Sequence, residues 1–136
     1  MKNLYKKASF DDYWKLAESF SAALDSLSDD FVKKEVPLEN PLFNVIFHMV
    51  ESYARAMLLK HAGKLIGGHS ETFSAFKTRF GKEKLFEDII GFYKKILEKN
   101  YAVLYNFDKN FDRKQVLKFI EKAERFRNRV RRFEGI

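Results

Sequence analysis

The sequence contains no cysteine, and this absence excludes disulfide bonds, thiolate metal sites and a cysteine nucleophile. Only two prolines and six glycines occur in 136 residues, and no low-complexity tract is present, so the composition is not that of a disordered chain. The longest apolar stretch is interrupted by Glu51 and Arg55 and is too short for a membrane span. The N-terminal residues lack the apolar segment of a signal peptide. We therefore expect a cytoplasmic protein without a membrane partner.

Several motifs of common enzymes are also missing. The segment GKLIGGHS at 63–70 has neither the Gly-Lys-Ser/Thr ending nor the preceding strand of a phosphate-binding P-loop. No His-Glu-x-x-His and no Gly-x-Ser-x-Gly occurs, and the three histidines are dispersed along the chain. We therefore expect no metal and no cofactor. Hydrolase, kinase and dehydrogenase chemistry have no support in these motifs.

Apolar and basic residues are what the chain does contain. Hydrophobic residues make up 46% of it and 15 residues are phenylalanine, which is enough for one domain, 1–136, with a single core. The net charge of +7 favours a polyanionic partner such as RNA, DNA or an acidic protein. Many soluble proteins reach such a charge without binding nucleic acid.

Hydrophobic periodicity predicts five helices and no strand. The predicted helices cover about 9–35, 40–62, 70–80, 82–106 and 112–136. Ser9, Asn40 and Asp112 are the expected N-caps of the first, second and last helix, and Gly63 is the expected end of the second. Gly91 lies inside the fourth predicted helix, where it costs about 1 kcal/mol relative to Ala, so we expect a close helix contact there. Short connections favour antiparallel neighbours, and the fold class is therefore an all-α, up-and-down bundle of four to five helices.

A polar stripe runs along the most apolar helix. Its members are spaced so that they share one face of the helix. They are Asn44, His48, Glu51, Ser52 and Arg55. Three interpretations are open: the solvent face of an amphipathic helix, a polar network at a dimer interface, or a ligand-binding or catalytic cleft.

A basic ridge runs along the last predicted helix for about 27 Å, at 1.5 Å per residue. Its members are Lys114, Lys118, Lys122, Arg125, Arg129 and Arg132. Such a ridge can follow a phosphate backbone in a salt-sensitive and sequence-independent way. The alternative is a solvated helix face whose basic end suits the helix dipole.

Three weaker patterns complete the set. Arg55 and His61 form Arg-x5-His, but at this spacing they point to nearly opposite sides of a straight helix. His69, next to Ser70, is typical of a helix entry. A pocket in the bundle lined by Tyr53, Trp14 and Tyr105 would have no polar signature for a named ligand.

The chain resembles the HEPN superfamily, in particular its small, uncharacterised prokaryotic branch. The resemblance covers roughly residues 10–132. It rests on Ala-Arg-Ala at 54–56, the His-Ser pair at 69–70, the aromatic short helix that follows, and Ala-Glu-x-Phe at 123–126. It implies an all-α bundle that commonly dimerises. Many members are encoded beside a small nucleotidyltransferase, as toxin–antitoxin pairs, and active members are metal-independent endoribonucleases with an Arg-x4–6-His motif.

The sequence departs from that motif where the resemblance places it, near the end of the long helix. The stretch EKNYAVLYNFD at 98–108 has no Arg and no His. Asn100 takes the place of the Arg found in related members, Leu104 that of an Asp, and Tyr105 that of a Tyr. The remaining catalytic candidates are Arg55, His48 and Tyr105. The resulting hypothesis is a HEPN-like nucleotide- or RNA-binding protein with a degenerate ribonuclease motif. It would be the toxin-like partner of a small nucleotidyltransferase antitoxin. The alternative is a non-enzymatic interaction module that acts as a homodimer.

Overall fold

A computed structural model describes residues 8–105 and 111–136, and for 103–105 only the backbone. Within these ranges the chain is all-helical, as the periodicity predicts, and forms a helical bundle without strands. The helices are α1 (Phe10–Lys34), α2 (Glu39–Ala62), α3 (His69–Phe80), α4 (Ile90–Tyr105) and α5 (Arg113–Glu134), and a short 3₁₀ turn spans Lys84–Phe86. None of the described helices is long and apolar enough to cross a membrane.

The predicted N-caps of α1 and α5 are confirmed. Ser9 accepts a hydrogen bond from the Asp12 amide at 3.3 Å, and the Ser9 amide donates to the Asp12 carboxylate at 2.8 Å, which completes a capping box. Asp112 accepts from the Gln115 amide at 2.7 Å. At its other end α1 is followed by Glu35 in the left-handed region, with φ 53°. A residue other than glycine is uncommon in this conformation.

The central helix begins earlier than predicted and ends where predicted. Leu38, not Asn40, precedes its first residue, and Pro41 is its third residue. Pro41 is tolerated there because amides of the first turn have no intrahelical partner. At the C-terminal end Gly63 has φ 63° and donates to the Leu59 carbonyl at 3.1 Å. A left-handed glycine is the common way to end a helix.

The prediction of one continuous helix over 82–106 is wrong at its beginning. The 3₁₀ turn and residues 87–89 precede α4, and they bring Phe86 into the core between Phe80 and Phe133, with ring centroids 5.7 and 5.2 Å apart. The expected close contact at Gly91 is also wrong, since a Cβ there would meet no atom of another described helix within 4 Å. Gly91 is the second residue of α4, so it lies in a helix end rather than in the interior where glycine is costly.

The core is built around α2, which contacts α1, α3, α4 and α5. Most side chains of α2 are buried, including polar ones. Phenylalanines fill the space between α3, the 3₁₀ turn and α5, with ring centroids 5.0 to 5.9 Å apart. Polar side chains in the middle of α2, such as Glu51 and Ser52, therefore face the protein.

Candidate functional site

The polar stripe of α2 divides into an exposed and a buried part. Asn44 is exposed and His48 is half-buried, whereas Glu51 and Ser52 are buried. The guanidinium of Arg55 is also mostly enclosed, with 19% of the side chain exposed. A solvent-exposed helix face is therefore the wrong interpretation for the part that begins at Glu51. The reason is that α3 and the segment 63–68 pack over this part of α2.

Glu51 is the centre of a three-residue cluster. One oxygen, Oε1, lies 3.0 Å from Nη2 of Arg55, one helical turn further on. The other, Oε2, lies 2.6 Å from Nδ1 of His69, the first residue of α3. Only 7% of the Glu51 side chain is exposed, and a buried carboxylate is costly unless both oxygens have partners. The cluster thus satisfies a charge that the core of the bundle would otherwise leave unpaired.

Arg55 fastens the segment that joins α2 to α3. Its Nη2 donates to the carbonyl oxygen of Gly67 at 2.7 Å in addition to pairing with Glu51. The guanidinium carbon lies 5.9 Å from the centre of the Tyr13 ring. Its Nε is buried without a hydrogen-bond partner in the described part of the chain. Arg55 therefore holds α1, α2 and the segment 63–68 in one arrangement.

The ring of His69 is held through one of its two nitrogens. Because Nδ1 contacts Glu51, the second nitrogen, Nε2, is the one left for a ligand. The ring packs edge-on against Phe47 at 5.3 Å, and 39% of the side chain is exposed. The next residue, Ser70, shares a hydrogen bond of 2.8 Å with the hydroxyl of Tyr101 on α4. His69 is a helix-entry residue, as the sequence indicates, but its contact with Glu51 was missed because no local spacing signals it.

His48 lies beside this cluster on α2. Its ring stacks on Phe20 of α1 at 5.5 Å. Burial lowers the pKa of His48, the Glu51 carboxylate opposes this effect, and His69 and Arg55 add to it. The imidazole is therefore neutral at pH 7. Tyr93 lies within electrostatic range of the same cluster. Burial, followed by Glu51, raises the pKa of its hydroxyl, and this hydroxyl has no hydrogen-bond partner in the described part of the chain.

Arg55 and His61 do not form a joint site. The α2 helix continues without a break to Ala62, and His61 faces a different set of residues. Its Nε2 lies 2.6 Å from the carboxylate of Glu134, near the end of α5. The ammonium group of Lys60 lies 2.6 Å from the same carboxylate. The Glu134 side chain is only 1% exposed. The Arg-x5-His pattern thus has its two members in two separate ion-pair clusters.

The basic ridge of α5 is partly neutralised by acidic residues of other elements. Arg129 lies 2.8 Å and Arg125 3.7 Å from Asp88, which follows the 3₁₀ turn. The neighbouring arginines behave in the same way, since Arg127 pairs with Asp25 and Arg131 with Glu18. The remaining predicted members of the ridge are exposed and have no carboxylate partner among the described residues. They are Lys114, Lys118, Lys122 and Arg132.

The structure brings together two of the other predicted site residues, Trp14 and Tyr53. Trp14 packs edge-on against the buried Tyr53 at 5.0 Å, so these two rings fill the core rather than line a pocket. Asn100 is half-buried on α4, and the Tyr105 side chain lies outside the described part of the structure. Within the described ranges no group of three or more His, Asp or Glu side chains is arranged to hold a metal ion.

No family model, curated protein or solved structure matches the chain in comparisons with known proteins.

Proposed function

We propose that this protein is a HEPN-like protein that binds RNA or nucleotides through exposed cations that pair with none of the described carboxylates. The observation that carries the proposal is a contrast between the cations of α5 and those around α3. Four arginines of α5, at 125, 127, 129 and 131, are engaged by acidic residues, whereas the exposed Lys64, Lys77 and Lys82 have no carboxylate partner among the described residues. A phosphate can approach an unpaired cation without breaking an existing ion pair. The net charge of +7 supports a polyanionic ligand.

The proposal is limited to binding. The resemblance to HEPN proteins implies an Arg and a His that act together on a phosphodiester, but Arg55 and His61 belong to separate clusters. Arg55 is also held by Glu51 and Gly67, which leaves its Nη2 no further donor for a ligand. The alignment of the family motif with Asn100 and Tyr105 supports the same limit.

The test is the affinity of the wild-type protein for a short single-stranded RNA of mixed sequence, measured by fluorescence anisotropy. We expect binding at about 50 mM salt and a steep loss of affinity by about 200 mM, because bound cations release counterions from the RNA. An oligonucleotide with an uncharged backbone and the same bases is the control, and it should bind far more weakly. Undetectable RNA binding at the lower salt concentration would refute the proposal.

A second candidate function, a homodimeric interaction module, is favoured by exposed apolar side chains. Leu16 and Val32 on α1 and Leu117 on α5 are exposed, and Val32 lies at a surface depression that Ile120 of α5 also lines. Sedimentation of the wild type against Val32→Glu tests this candidate. A dimer that dissociates in the variant supports it, and a monomeric wild type at high concentration rules it out. A nucleotidyltransferase partner stays a prediction from the resemblance.

A further inference from the structure

A concave surface of the protein lies between the end of α2, the segment 63–68 and the outer side of α3. It consists of two depressions, of about 390 and 630 Å³, that share Ser74 and Thr78. Volumes of this size are typical of small-ligand sites. We call this surface the α3 groove, and its polar members are Lys64, Ser74, Lys77, Thr78, Arg79 and Lys82.

Positive charge dominates the α3 groove. Lys64, Lys77, Arg79 and Lys82 have no carboxylate partner among the described residues, and no described Asp or Glu lines either depression. Arg79 is fixed through Nη2, which donates to the carbonyl oxygen of His61 at 3.1 Å. The acidic residue of the first turn of α3, Glu71, places its carboxylate beside Gly68, at the end of the helix remote from Lys77 and Lys82. The four cations are therefore not engaged in ion pairs with described carboxylates and can contact an anionic ligand.

The interior of the groove suits the other parts of a nucleotide. The smaller depression has apolar walls from Leu58, Ala62 and Ile66, while the hydroxyls of Ser74 and Thr78 lie where the two depressions meet. An apolar wall can accept the face of a base, and hydroxyls can donate to phosphate oxygens or bond a ribose 2′-OH. Gly81, which lines the larger depression, has no side chain to fill it.

These features distinguish the α3 groove from the lysines of α5. The α5 lysine row, Lys114, Lys118 and Lys122, lies on the outside of a helix and is interleaved with Glu121 and Glu124. A row on a convex helix offers charge without an enclosed volume, whereas the groove offers both.

We propose that the α3 groove binds a single-stranded RNA, with phosphates on its four cations and one base against its apolar wall. A single strand is favoured because a paired duplex does not expose a base to such a depression. The inference rests on the proposed RNA binding and names its site.

Arg55 has a positioning role in this arrangement. It does not line the groove, but its bond to Gly67 holds the segment that carries Lys64 and Ile66. From the other side the hydroxyl of Thr72 donates to the carbonyl of Gly68 at 2.6 Å. The wall of the groove is therefore fixed by residues that an RNA would not touch.

The test compares two variants with the same change of charge. The groove variant has glutamine in place of Lys64, Lys77 and Lys82. The matched control, the α5 variant, has glutamine in place of Lys114, Lys118 and Lys122. All six lysines are exposed, so both variants should fold. Anisotropy with the single-stranded RNA should show about a tenfold or greater loss of affinity for the groove variant. Its plot of log affinity against log salt should be shallower by about 0.7 per lost phosphate contact. The control should stay close to the wild type.

The outcomes separate the site from the function. If the wild type binds RNA and the α5 variant loses at least as much affinity as the groove variant, the groove is not the RNA-binding site. The proposed RNA binding itself would not be contradicted. If the wild type binds no RNA, the proposed function itself fails. A third variant, Arg55→Gln, should weaken binding without changing the salt slope, since it removes a positioning contact and no phosphate contact. A salt slope reduced as much as that of the groove variant would contradict the positioning role of Arg55.

Discussion

The imidazole of His69 lies 2.6 Å from the carboxylate of Glu51, and this contact ties the first residue of α3 to the middle of α2. The same carboxylate pairs with Arg55, which in turn holds Gly67. One buried acidic residue thus organises the end of the connection that leads into α3. Its removal should affect both of these contacts rather than a single one.

Replacement of Glu51 by glutamine is expected to destabilise the fold by about 2–4 kcal/mol, because it leaves the mostly buried Arg55 without its counter-charge. Urea unfolding followed by circular dichroism measures the change. The matched control is Asp29→Asn, which breaks an exposed ion pair with Lys33 of the same one-turn spacing. The control should change stability by less than about 0.5 kcal/mol. Equal effects of the two substitutions would show that the Glu51 cluster is not a structural centre.

His48 should make the protein less stable in mild acid. Burial lowers its pKa in the folded protein, so the unfolded chain binds a proton more readily at this site. The contribution of neutral His48 to the free energy of unfolding is therefore complete above the ordinary pKa near 6.5. It is lost as the pH falls through the lower pKa of His48 in the folded protein. The groups that face it are Phe20, Phe47, Glu51, Arg55 and His69.

The measurement for His48 is the unfolding free energy of the wild type and of His48→Gln between about pH 8 and 5. The variant should show a smaller loss of stability on acidification, since the two proteins differ only at position 48. Parallel curves for the two proteins would contradict the prediction.

Tyr93→Phe should leave stability unchanged or raise it by up to about 1 kcal/mol. The hydroxyl of Tyr93 is buried and lacks a hydrogen-bond partner in the described part of the chain, so its removal relieves a desolvation cost without breaking a bond. The rings of Phe73 and Phe126 would still pack against the new phenylalanine. Thermal unfolding provides the comparison. A loss of more than about 1 kcal/mol would mean that the hydroxyl has a partner in solution.

Arg113 should be sensitive to replacement by lysine. Its guanidinium donates to the carbonyl oxygen of Phe31 at 2.9 Å and lies 4.5 Å from the centre of the Phe31 ring, and it thereby joins the end of α1 to the start of α5. An ammonium group does not reproduce the planar fork and the stacking together. We expect Arg113→Lys to cost about 1 kcal/mol in urea unfolding, while Lys114→Arg, at the exposed neighbouring position, costs nothing measurable.

The parts of the fold that the sequence predicted are those set by local chemistry. Ser9, Gly63 and Asp112 end or begin helices because their own side chain or backbone satisfies the adjacent amides and carbonyls. The break before α4 was not predictable in this way. The spacing of Phe86 fits a helix equally well, and its burial against Phe80 and Phe133 depends on α3 and α5.

The candidate sites are likewise predictable only as far as local spacing determines them. The α2 stripe and the α5 ridge follow from helical spacing, and the residues do lie on those helices. Their partners do not follow from it, because His69 reaches Glu51 across 18 positions in the chain and Asp88 reaches Arg129 across 41. The α3 groove could not be predicted either, since Lys64, Ser74 and Lys82 belong to different segments and meet only around α3.

The two-sided attachment of the segment 63–68 has a consequence for local motion. Arg55 and Thr72 bond to successive carbonyls, Gly67 and Gly68, so the segment cannot detach from one helix without disturbing the other. Segments joined in this way open as one cooperative unit in amide hydrogen exchange. The amides of 64–68 should therefore exchange at the same rate as those of the first turn of α3, and a ligand on the far side should slow both together.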